Sequence, residues 1–465
     1  MSINQLIELT RRSFEVNSAA INTIGQNIAN EQTEGYRRRR IELRAESISS
    51  TGVQIQNPSN TSLGLGVSIQ SIDSIRDQLL ASSAWEARAG LGAADEEARL
   101  LAAVENIMPS NVDGSLSDVL NRFWNAWSDL ANNPEDIGVR QTLLARGNAL
   151  ASTLNRLGSD LDRLSTDIVD DLDATVDEFN TKLQRIAELN VQIQSGRAAN
   201  SPDLGAEDER ALLVQELSEL APVHVQITEL ETYNITVNGV TVVQGRDIEP
   251  LSLDTLTDPP TLTYQSSGLG YAAPAGDDGR IGALLRTTNS TLQDTRQNLD
   301  LLASTIVSTI NGLHSTGYGL DGATGRNFFD PAGLAAGTIA VSTDISEARF
   351  IAASDNADPA AIGDNDIASA ILDQRTAVQG ALNNQTIENF SISIVTNVGS
   401  KLETATAQFE GHQAVVNYLD ALERGASGVS VNEELTNLIQ FQQSFAAAAR
   451  VLNTVQSMFD SLLSI

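Results

Sequence analysis

The stretch Val431–Ile465, VNEELTNLIQFQQSFAAAARVLNTVQSMFDSLLSI, carries the most regular pattern in the chain. Apolar side chains recur there every seven residues in two sets, Leu438, Phe445, Leu452 and Phe459, and Phe441, Ala448, Val455 and Leu462. This spacing places both sets on one stripe of an α-helix, as in the seam of a coiled coil. Asn432 is predicted to cap the helix, with Glu433 and Glu434 in its first turn. Because a single stripe is also typical of the last core helix of a bundle, the prediction needs a partner helix.

The first thirty residues supply such a partner. A second seven-residue repeat runs through Ile7, Phe14, Ile21 and Ile28, with Ile3 and Ile24 beside it. Thr10 and Asn17 lie next to this seam, where polar residues tend to fix register and oligomeric state. The two ends of the chain are therefore predicted to pair as coiled-coil helices, residues 1–30 with residues 432–465.

Composition narrows the class of partner and the compartment. The 465 residues include 29 Lys and Arg against 60 Asp and Glu, a formal charge of −31. Such a charge argues against nucleic acid and anionic membranes as partners. The chain has no cysteine, which suits either the cytosol or export in an unfolded state. The N-terminus lacks the pattern of a Sec signal peptide, and the longest charge-free apolar stretch, near Leu334 to Val341, is too short to span a membrane.

The middle of the chain predicts a body of long helices, assigned to residues 31–222 and 280–431. It opens with an extended hairpin segment, residues 31–80, which contains the basic run Arg37–Arg40. Acidic residues surround this run, so it is interpreted as a solvated or salt-bridged face. Helices are expected over about 75–107, 116–130 and 161–193, with Pro134 at the first position of a further helix to about 157. The three tryptophans are expected in the core.

The hydrophobic period changes from 3.6 to 2 at Pro222. Val223 to Ile227 alternate apolar and polar residues, and the pair Asn238-Gly239 between two short apolar runs indicates a type I′ hairpin. Residues 223–279 are therefore predicted to form a small β domain, inserted between helices and lying on the outside. The predicted fold is mainly α, with paired terminal coiled-coil helices, a long-helix bundle and this β-rich insert.

No pattern of catalytic or ligand-binding residues stands out. His224, His314 and His412 are the three histidines, and they are far apart in the sequence. Phosphate-binding loops and nucleophile motifs are missing, and a run of aspartates from Asp160 to Asp177 lacks calcium-loop spacing. The chain is therefore predicted to be no enzyme and to have no catalytic, cofactor-binding or metal-binding residues.

Several motifs resemble one protein family. Asn27-Ile28-Ala29-Asn30, followed by Thr33 and Gly35-Tyr36, is similar to the N-terminal signature of bacterial flagellar axial proteins, which form the rod, the hook and the hook-associated layers. Leu130 to Pro134 and the segment from Ser427 to Phe445 resemble the hook-associated members. The resemblance covers both ends and the helical body.

This resemblance implies a structural protein outside the cell, at the junction between hook and filament. The implied partners are the hook protein, the second junction protein, further copies of the chain in a helical or ring layer, and an export chaperone on the C-terminal helix. Export through the flagellar type III apparatus would need no Sec signal. A hook or filament subunit remains an alternative, as does an extracellular adhesin or hydrolase on a flagellar scaffold. Both ends are expected to be disordered or loosely held in the free monomer.

Overall fold

The structure, a computed structural model, describes residues 3–47, 64–110, 112–199, 201–257, 259–266, 269–272, 276, 278–358 and 363–463. Ten α-helices occur in these ranges: α1 Ile3–Ala29, α2 Gln78–Ile107, α3 Leu116–Asn132, α4 Ile137–Ala198, α5 Leu204–Leu220, α6 Gly279–Arg286, α7 Gln293–His314, α8 Asp366–Asp373, α9 Ile387–Ser427 and α10 Val431–Leu463. The strands are β1 Arg39–Ser47, β2 Gly64–Ser74, β3 Val223–Ile227, β4 Tyr233–Val237, β5 Val240–Gln244, β6 Asp247–Ile248, β7 Leu251–Asp254, β8 Thr261–Ser266 and β9 Leu269–Ala272. The predicted mainly α fold with a small β region is confirmed.

One continuous hydrophobic core runs through the body of the protein. It extends from Ala81 on α2 to Val398 on α9 and is built chiefly on the 62-residue helix α4. Trp124 and Trp127 are fully buried in it, as expected of the tryptophans, and Trp127 packs on Phe328 with ring centroids 5.4 Å apart. No described side chain of α1 or α10 belongs to this core, so the terminal helices depend on a separate interface.

The β region consists of two small antiparallel sheets, β3-β4-β5-β6 and β7-β8-β9. Asn238 and Gly239 join β4 to β5 with φ of 49° and 84°, the left-handed values that a type I′ turn requires. The strands begin and end close to the predicted limits, residues 223 and 279. However, buried side chains of β4 and β5 belong to the same core as the helices, so the sheets are packed into the body.

Asn190 on α4 ties the first sheet to the helices. Its amide accepts from the backbone N–H of Tyr233 at 2.9 Å and donates to the carbonyls of Tyr233 and Gly245 at 2.9 and 2.8 Å. Because Asn190 is fully buried, these bonds offset the cost of removing an amide from water. The sheet is thus fixed to α4 by polar contacts as well as by apolar packing.

Three predicted helix starts differ from the structure. Helix α4 begins at Ile137 with Asp136 as its cap, so Pro134 lies in the preceding turn, and the two predicted helices on either side of Leu157 are one. Helix α10 begins at Val431, which places Asn432 inside the first turn and not at the cap. Side chains that can cap a helix occur at neighbouring positions here, and local sequence did not distinguish between them.

The irregular segment between α7 and α9 is held by buried polar side chains. Arg140 on α4 donates to the carbonyl of Pro134 at 2.8 Å and also to the carbonyl of Ile351. His314, at the end of α7, contacts the carbonyl of Arg326 through Nδ1 at 2.8 Å and accepts from the N–H of Ala352 through Nε2 at 2.9 Å. A loop with little regular structure is in this way anchored to two long helices.

Candidate functional site: the paired terminal helices

Helices α1 and α10 pair side by side and run antiparallel. Phe14 meets Phe445 edge to face, with ring centroids 4.8 Å apart, and Asn27 meets Glu434 further along the pair. Residue numbers rise along one helix as they fall along the other, so the C-terminal end of α10 lies level with the start of the chain. The two predicted helices therefore contact each other, and their burial shows which side chains form the interface.

On α10 the predicted seam divides into buried and exposed parts. Ala448 and Val455 are buried, and Leu438, Phe441 and Leu452 are half-buried. Phe445 remains partly exposed, and Phe459 is 46% exposed. The side chain of Leu462, like that of Ile3 on α1, lies outside the described part of the structure. The stripe is thus covered as far as Val455 and exposed at Phe459, near the C-terminal end of α10.

On α1 the buried face is rotated away from the predicted seam. Ile24 is buried as predicted, but Phe14, Ile21 and Ile28 are half-buried and Ile7 is 39% exposed. The most deeply buried apolar residues are Val16, Ala20 and Ile24. The reason is that α1 packs against the β1–β2 ribbon as well as α10, and Leu9 lies directly over Gly66 of β2. A repeat read as a single seam cannot show that a helix has two neighbours.

Three buried polar residues of α1, Thr10, Asn17 and Thr23, make their hydrogen bonds within α1, contrary to the prediction that Thr10 and Asn17 fix the register of the pair. Thr10 donates to the carbonyl of Leu6 at 2.7 Å, Asn17 to the hydroxyl of Ser13 at 3.2 Å, and Thr23 to the carbonyl of Ala19 at 3.0 Å. All three bonds lie within α1. These hydrogen bonds therefore do not depend on α10 or on its register.

A polar contact between the two helices lies at the C-terminal end of α1. We call the cluster of residues there the terminal joint: Asn27, Tyr36, Arg38, Arg39 and Glu434. Asn27 is 1% exposed. Its Oδ1 accepts from Tyr36 Oη at 2.9 Å and from the N–H of Arg39 at 3.0 Å. Its Nδ2 donates to the carbonyl of Arg39 at 3.0 Å and to Glu434 Oε2 at 3.1 Å. One amide therefore ties α1 to the segment after it and to α10.

The remaining residues of the family motif shape the turn that leads into this joint. Asn30 Oδ1 accepts from the Thr33 hydroxyl at 3.4 Å, and the N–H of Tyr36 donates to the carbonyl of Thr33 at 3.2 Å. Gly35 has a φ of +77°, which favours glycine, and a Cβ at this position would lie 3.4 Å from the Leu212 side chain of α5. Ile28 is half-buried and Ala29 is exposed at the end of α1. The motif thus reverses the chain and returns Tyr36 to Asn27.

The arginine run Arg37–Arg40 forms salt bridges, one of the two arrangements predicted for it, and each arginine contacts a different acidic residue. Arg37 pairs with Glu423 of α9 at 2.6 Å, and Arg38 pairs with Glu434 and Glu433 of α10 at 2.8 and 2.9 Å. Arg39 lies 3.6 Å from Asp208 of α5, and Arg40 lies 3.4 Å from Glu42. The run therefore connects three helices that are distant in the sequence.

Burial changes the acidity of two groups around the joint. Burial raises the pKa of Asp208 to about 6, although Arg39, Arg76 and Arg37 act in the opposite direction. Burial also raises the pKa of the Tyr36 hydroxyl, which donates its hydrogen bond to Asn27. The joint is consequently a desolvated polar cluster whose charges depend on one another.

The terminal pair leaves several large apolar side chains exposed. Between about two-fifths and just over half of each of these side chains is exposed: Ile7, Leu435, Ile439, Phe445, Val451, Met458 and Phe459. Ile439 is 55% exposed. A concentration of such residues on two adjacent helices is typical of a surface that packs against another protein.

The histidines and acidic groups do not form a catalytic arrangement among the described residues. His224 is exposed on β3, His412 packs against Gly90 at the α2–α9 contact, and His314 is buried in the loop anchor. Burial lowers the pKa of His314 to about 4. Two aspartates of α4 pair with separate arginines, Asp162 with Arg296 and Asp171 with Arg99 and Arg280.

Two further observations concern cations and membranes. Within the described ranges, Asp355, Asp364 and Asp366 come close enough together for a cation, at an exposed loop and with nothing else pointing to a ligand. The helices described here are all too short or too polar to cross a bilayer.

The long-helix body is joined through a polar turn to an antiparallel pair of terminal helices, and its family matches place the chain among the structural proteins of the flagellar axial class. A family model described as the flagellar hook-associated protein FlgK helical domain matches residues 101–329, and one described as the flagellar basal body rod FlgEFG protein C-terminal matches residues 425–465. The chain belongs to the family of flagellar hook-associated protein 1.

Curated relatives and a solved structure agree with this assignment. Flagellar hook-associated protein 1 of Bacillus subtilis strain 168 is 25% identical over 501 residues, covering 98% of this chain and 97% of the relative. Its namesake from Salmonella typhimurium is 24% identical over 562 residues, with both chains fully covered. The flagellar hook junction protein FlgK from Burkholderia pseudomallei has the same fold, with a TM-score of 0.67 at 15% identity, covering 75% of this chain and all of that one. The family is one of structural proteins at the hook–filament junction, so the predicted function is confirmed.

Proposed function

We propose that the chain builds the hook–filament junction by packing its terminal helix pair against the same pair in neighbouring subunits. The observation that carries this proposal is the number of large apolar side chains that stay exposed on α1 and α10, Ile7 on the first helix and six on the second. Support also comes from the rod-protein family model, because it matches α10 itself, residues 425–465. The terminal helix is thus a part that this chain has in common with other axial proteins.

The energetics favour assembly through this surface. Covering a large side chain that is about half exposed contributes roughly 1 kcal/mol, so seven such side chains contribute several kcal/mol per subunit. A pair of helices outside the main core is poorly stabilised by itself. Neighbouring subunits would therefore both hold the pair in place and be held by it.

The finer partners are part of the same proposal. The hook protein and the second junction protein would lie on the two sides of the layer, with copies of this chain around it. An export chaperone would cover α10 before assembly, because that helix has the largest share of the exposed apolar residues. Export in an unfolded state is consistent with a sequence without cysteine. In this proposal the chain is extracellular, has a mechanical role and is no enzyme.

The proposal also divides the chain into functional parts. Residues 1–30 and 432–465 would be the assembly part, and residues 31–222 with 280–431 the spacer that carries residues 223–279 outward. The body's continuous core supports its role as a rigid spacer, since a shared core lets the sheets and helices move as one unit.

Electron microscopy of a strain that lacks the chain tests the role directly. We expect hooks without filaments and flagellin shed into the medium, and restoration by the wild-type chain. In contrast, normal filaments in the deletion strain would rule out a junction role. If the purified chain grew long polymers by itself, a hook or filament subunit would explain the resemblance better.

Two matched variants test the surface. Ile439→Gln with Met458→Gln keeps strong helix formers on α10 but removes exposed apolar area. We expect secretion and a native circular dichroism spectrum, with filament attachment lost. The control, Leu256→Gln with Val378→Gln, alters side chains of the body that are even more exposed, and should retain motility. Equal motility of the two variants would contradict assembly through the terminal pair.

A further inference from the structure

We infer that Glu434 is a positioning residue that sets the register between α1 and α10. It lies in the first turn of α10 and is 2% exposed, an unusual environment for a carboxylate. Its Oε1 accepts from Arg38 Nε at 2.8 Å, and its Oε2 accepts from Asn27 Nδ2 at 3.1 Å. The buried charge is therefore paired on one side and hydrogen-bonded on the other.

Glu434 occupies a position of the seam itself. It precedes Phe441, Ala448 and Val455 at the same seven-residue spacing, and the last two of these are also buried. A polar residue at one core position of a coiled coil is a known means of selecting register, because any slip buries it against apolar groups. The rest of this row is apolar and would accept such a slip.

Three other buried polar side chains of α1 do not bond to α10 among the described residues. Thr10, Asn17 and Thr23 are buried on α1 but make hydrogen bonds within that helix. Between the described side chains of α1 and α10, the bond from Asn27 to Glu434 is the one hydrogen bond that crosses the interface. After a slip of one heptad, α10 would still present its repeating apolar side chains to α1, and this bond would be lost.

The terminal joint also fixes the position of α10 relative to the body. Arg38 donates its backbone N–H to the carbonyl of Ser427, the last residue of α9, at 3.0 Å. Its carbonyl accepts from the N–H of Ile75 at 2.9 Å, next to the start of α2. The guanidinium that holds Glu434 is thus fixed to two elements of the body. A fixed register gives the exposed apolar side chains of α10 the same position relative to the body in every subunit. Repeated packing of identical subunits requires this.

Distances between spin labels on the full-length monomer test this inference, and the cysteine-free chain permits selective labelling. Labels at Asn22→Cys on α1 and Asn453→Cys on α10 occupy exposed positions that are offset along the helix axis. A slip of one heptad then changes their separation by about 10 Å, since each helical residue rises 1.5 Å.

The variant to measure is Glu434→Leu, because an apolar side chain of similar volume keeps the helices packed. We expect the single distance of the parent to be replaced by two or more, about 10 Å apart, with helix content unchanged. Glu433→Leu makes the same chemical change at the exposed neighbour, which also contacts Arg38, and should keep the single distance. Glu434→Gln retains the acceptor for Asn27 and should keep most of the original population.

Two results would overturn the inference. A single unshifted distance in Glu434→Leu would show that the apolar seam selects its own register. A broad, featureless distribution with lost helix content would show that Glu434 holds the pair together and does not set its register. Neither outcome depends on whether the terminal pair assembles with neighbouring subunits, so this test is separate from that of the proposed function.

Discussion

The body and the terminal pair use long helices in opposite ways. Helix α4 is covered by other elements along its length, and buried side chains occur from Arg140 to Ile193. Helix α10 is more than half as long, yet among its described side chains those of Glu434, Ala448 and Val455 are buried. Because stability depends on buried apolar area, the body is stable by itself. The terminal pair leaves apolar surface that neighbouring molecules can cover.

The largest expected effect tests the body. Trp127→Ala should lower the free energy of unfolding by about 3 to 5 kcal/mol, because it opens a cavity beside Phe123 and Phe328. Denaturant unfolding of the monomer measures this. Leu256→Ala, at a side chain that is 96% exposed, is the control and should stay within about 0.5 kcal/mol of the parent. Equal losses in the two variants would contradict the core described here.

A pH dependence of the body comes next. His314 has a folded pKa of about 4, below its ordinary value of 6.5, because burial disfavours the imidazolium. As pH falls, His314 is therefore protonated in the unfolded chain at a higher pH than in the folded protein. The free energy of unfolding decreases as pH falls from about 6.5 to 4, by up to roughly 3 kcal/mol. His314→Gln should be less stable at pH 7 and lack this part of the pH dependence, whereas exposed His224→Gln should behave like the parent. Parallel curves for His314→Gln and the parent would refute the assignment.

Amide exchange compares the two regions directly. In a verified monomer, we expect the amides of α1 and α10 to open at a free energy at least about 2 kcal/mol below that of α3 and α4, a difference of some thirtyfold in protection. The reason is that the terminal pair shares no core with the body. The prediction that these ends are loosely held would fail if residues 3–30 and 432–463 were as strongly protected as α4.

The smallest effect lies at the boundary between the two regions. Because burial raises the pKa of Asp208 to about 6, the stabilisation that this group contributes changes with pH in the opposite direction to that of His314. It is present at pH values below about 4 and is lost as pH rises through 6. Asp208→Asn should be about 1 kcal/mol more stable than the parent at pH 8, after allowance for solvent screening, and equal to it near pH 4. Thermal unfolding at the two values checks this, and a variant that is less stable at pH 8 would show that the ion pair with Arg39 dominates.

Local chemistry in the sequence predicted much of the fold. The Asn238-Gly239 turn was predicted in its correct conformation, since left-handed φ values favour those residue types. The long apolar stripes predicted helices close to α2, α3 and α9, because periodicity alone identifies the face that must be buried. Both terminal helices and the motif from Asn27 to Tyr36 were likewise recognisable from residue type and spacing.

Other properties depended on contacts between distant segments. Which arc of α1 is buried was decided by the β1–β2 ribbon, which packs on α1 through Leu9 and Gly66. The partners of Arg37 to Arg39 lie some 170 to 400 residues away, and no local pattern pairs them with Asp208, Glu423 or Glu434. The terminal seam was visible in the sequence because helical period is a local property. The buried charge of Glu434 was decided by tertiary structure, because burial is a property of everything that packs around it.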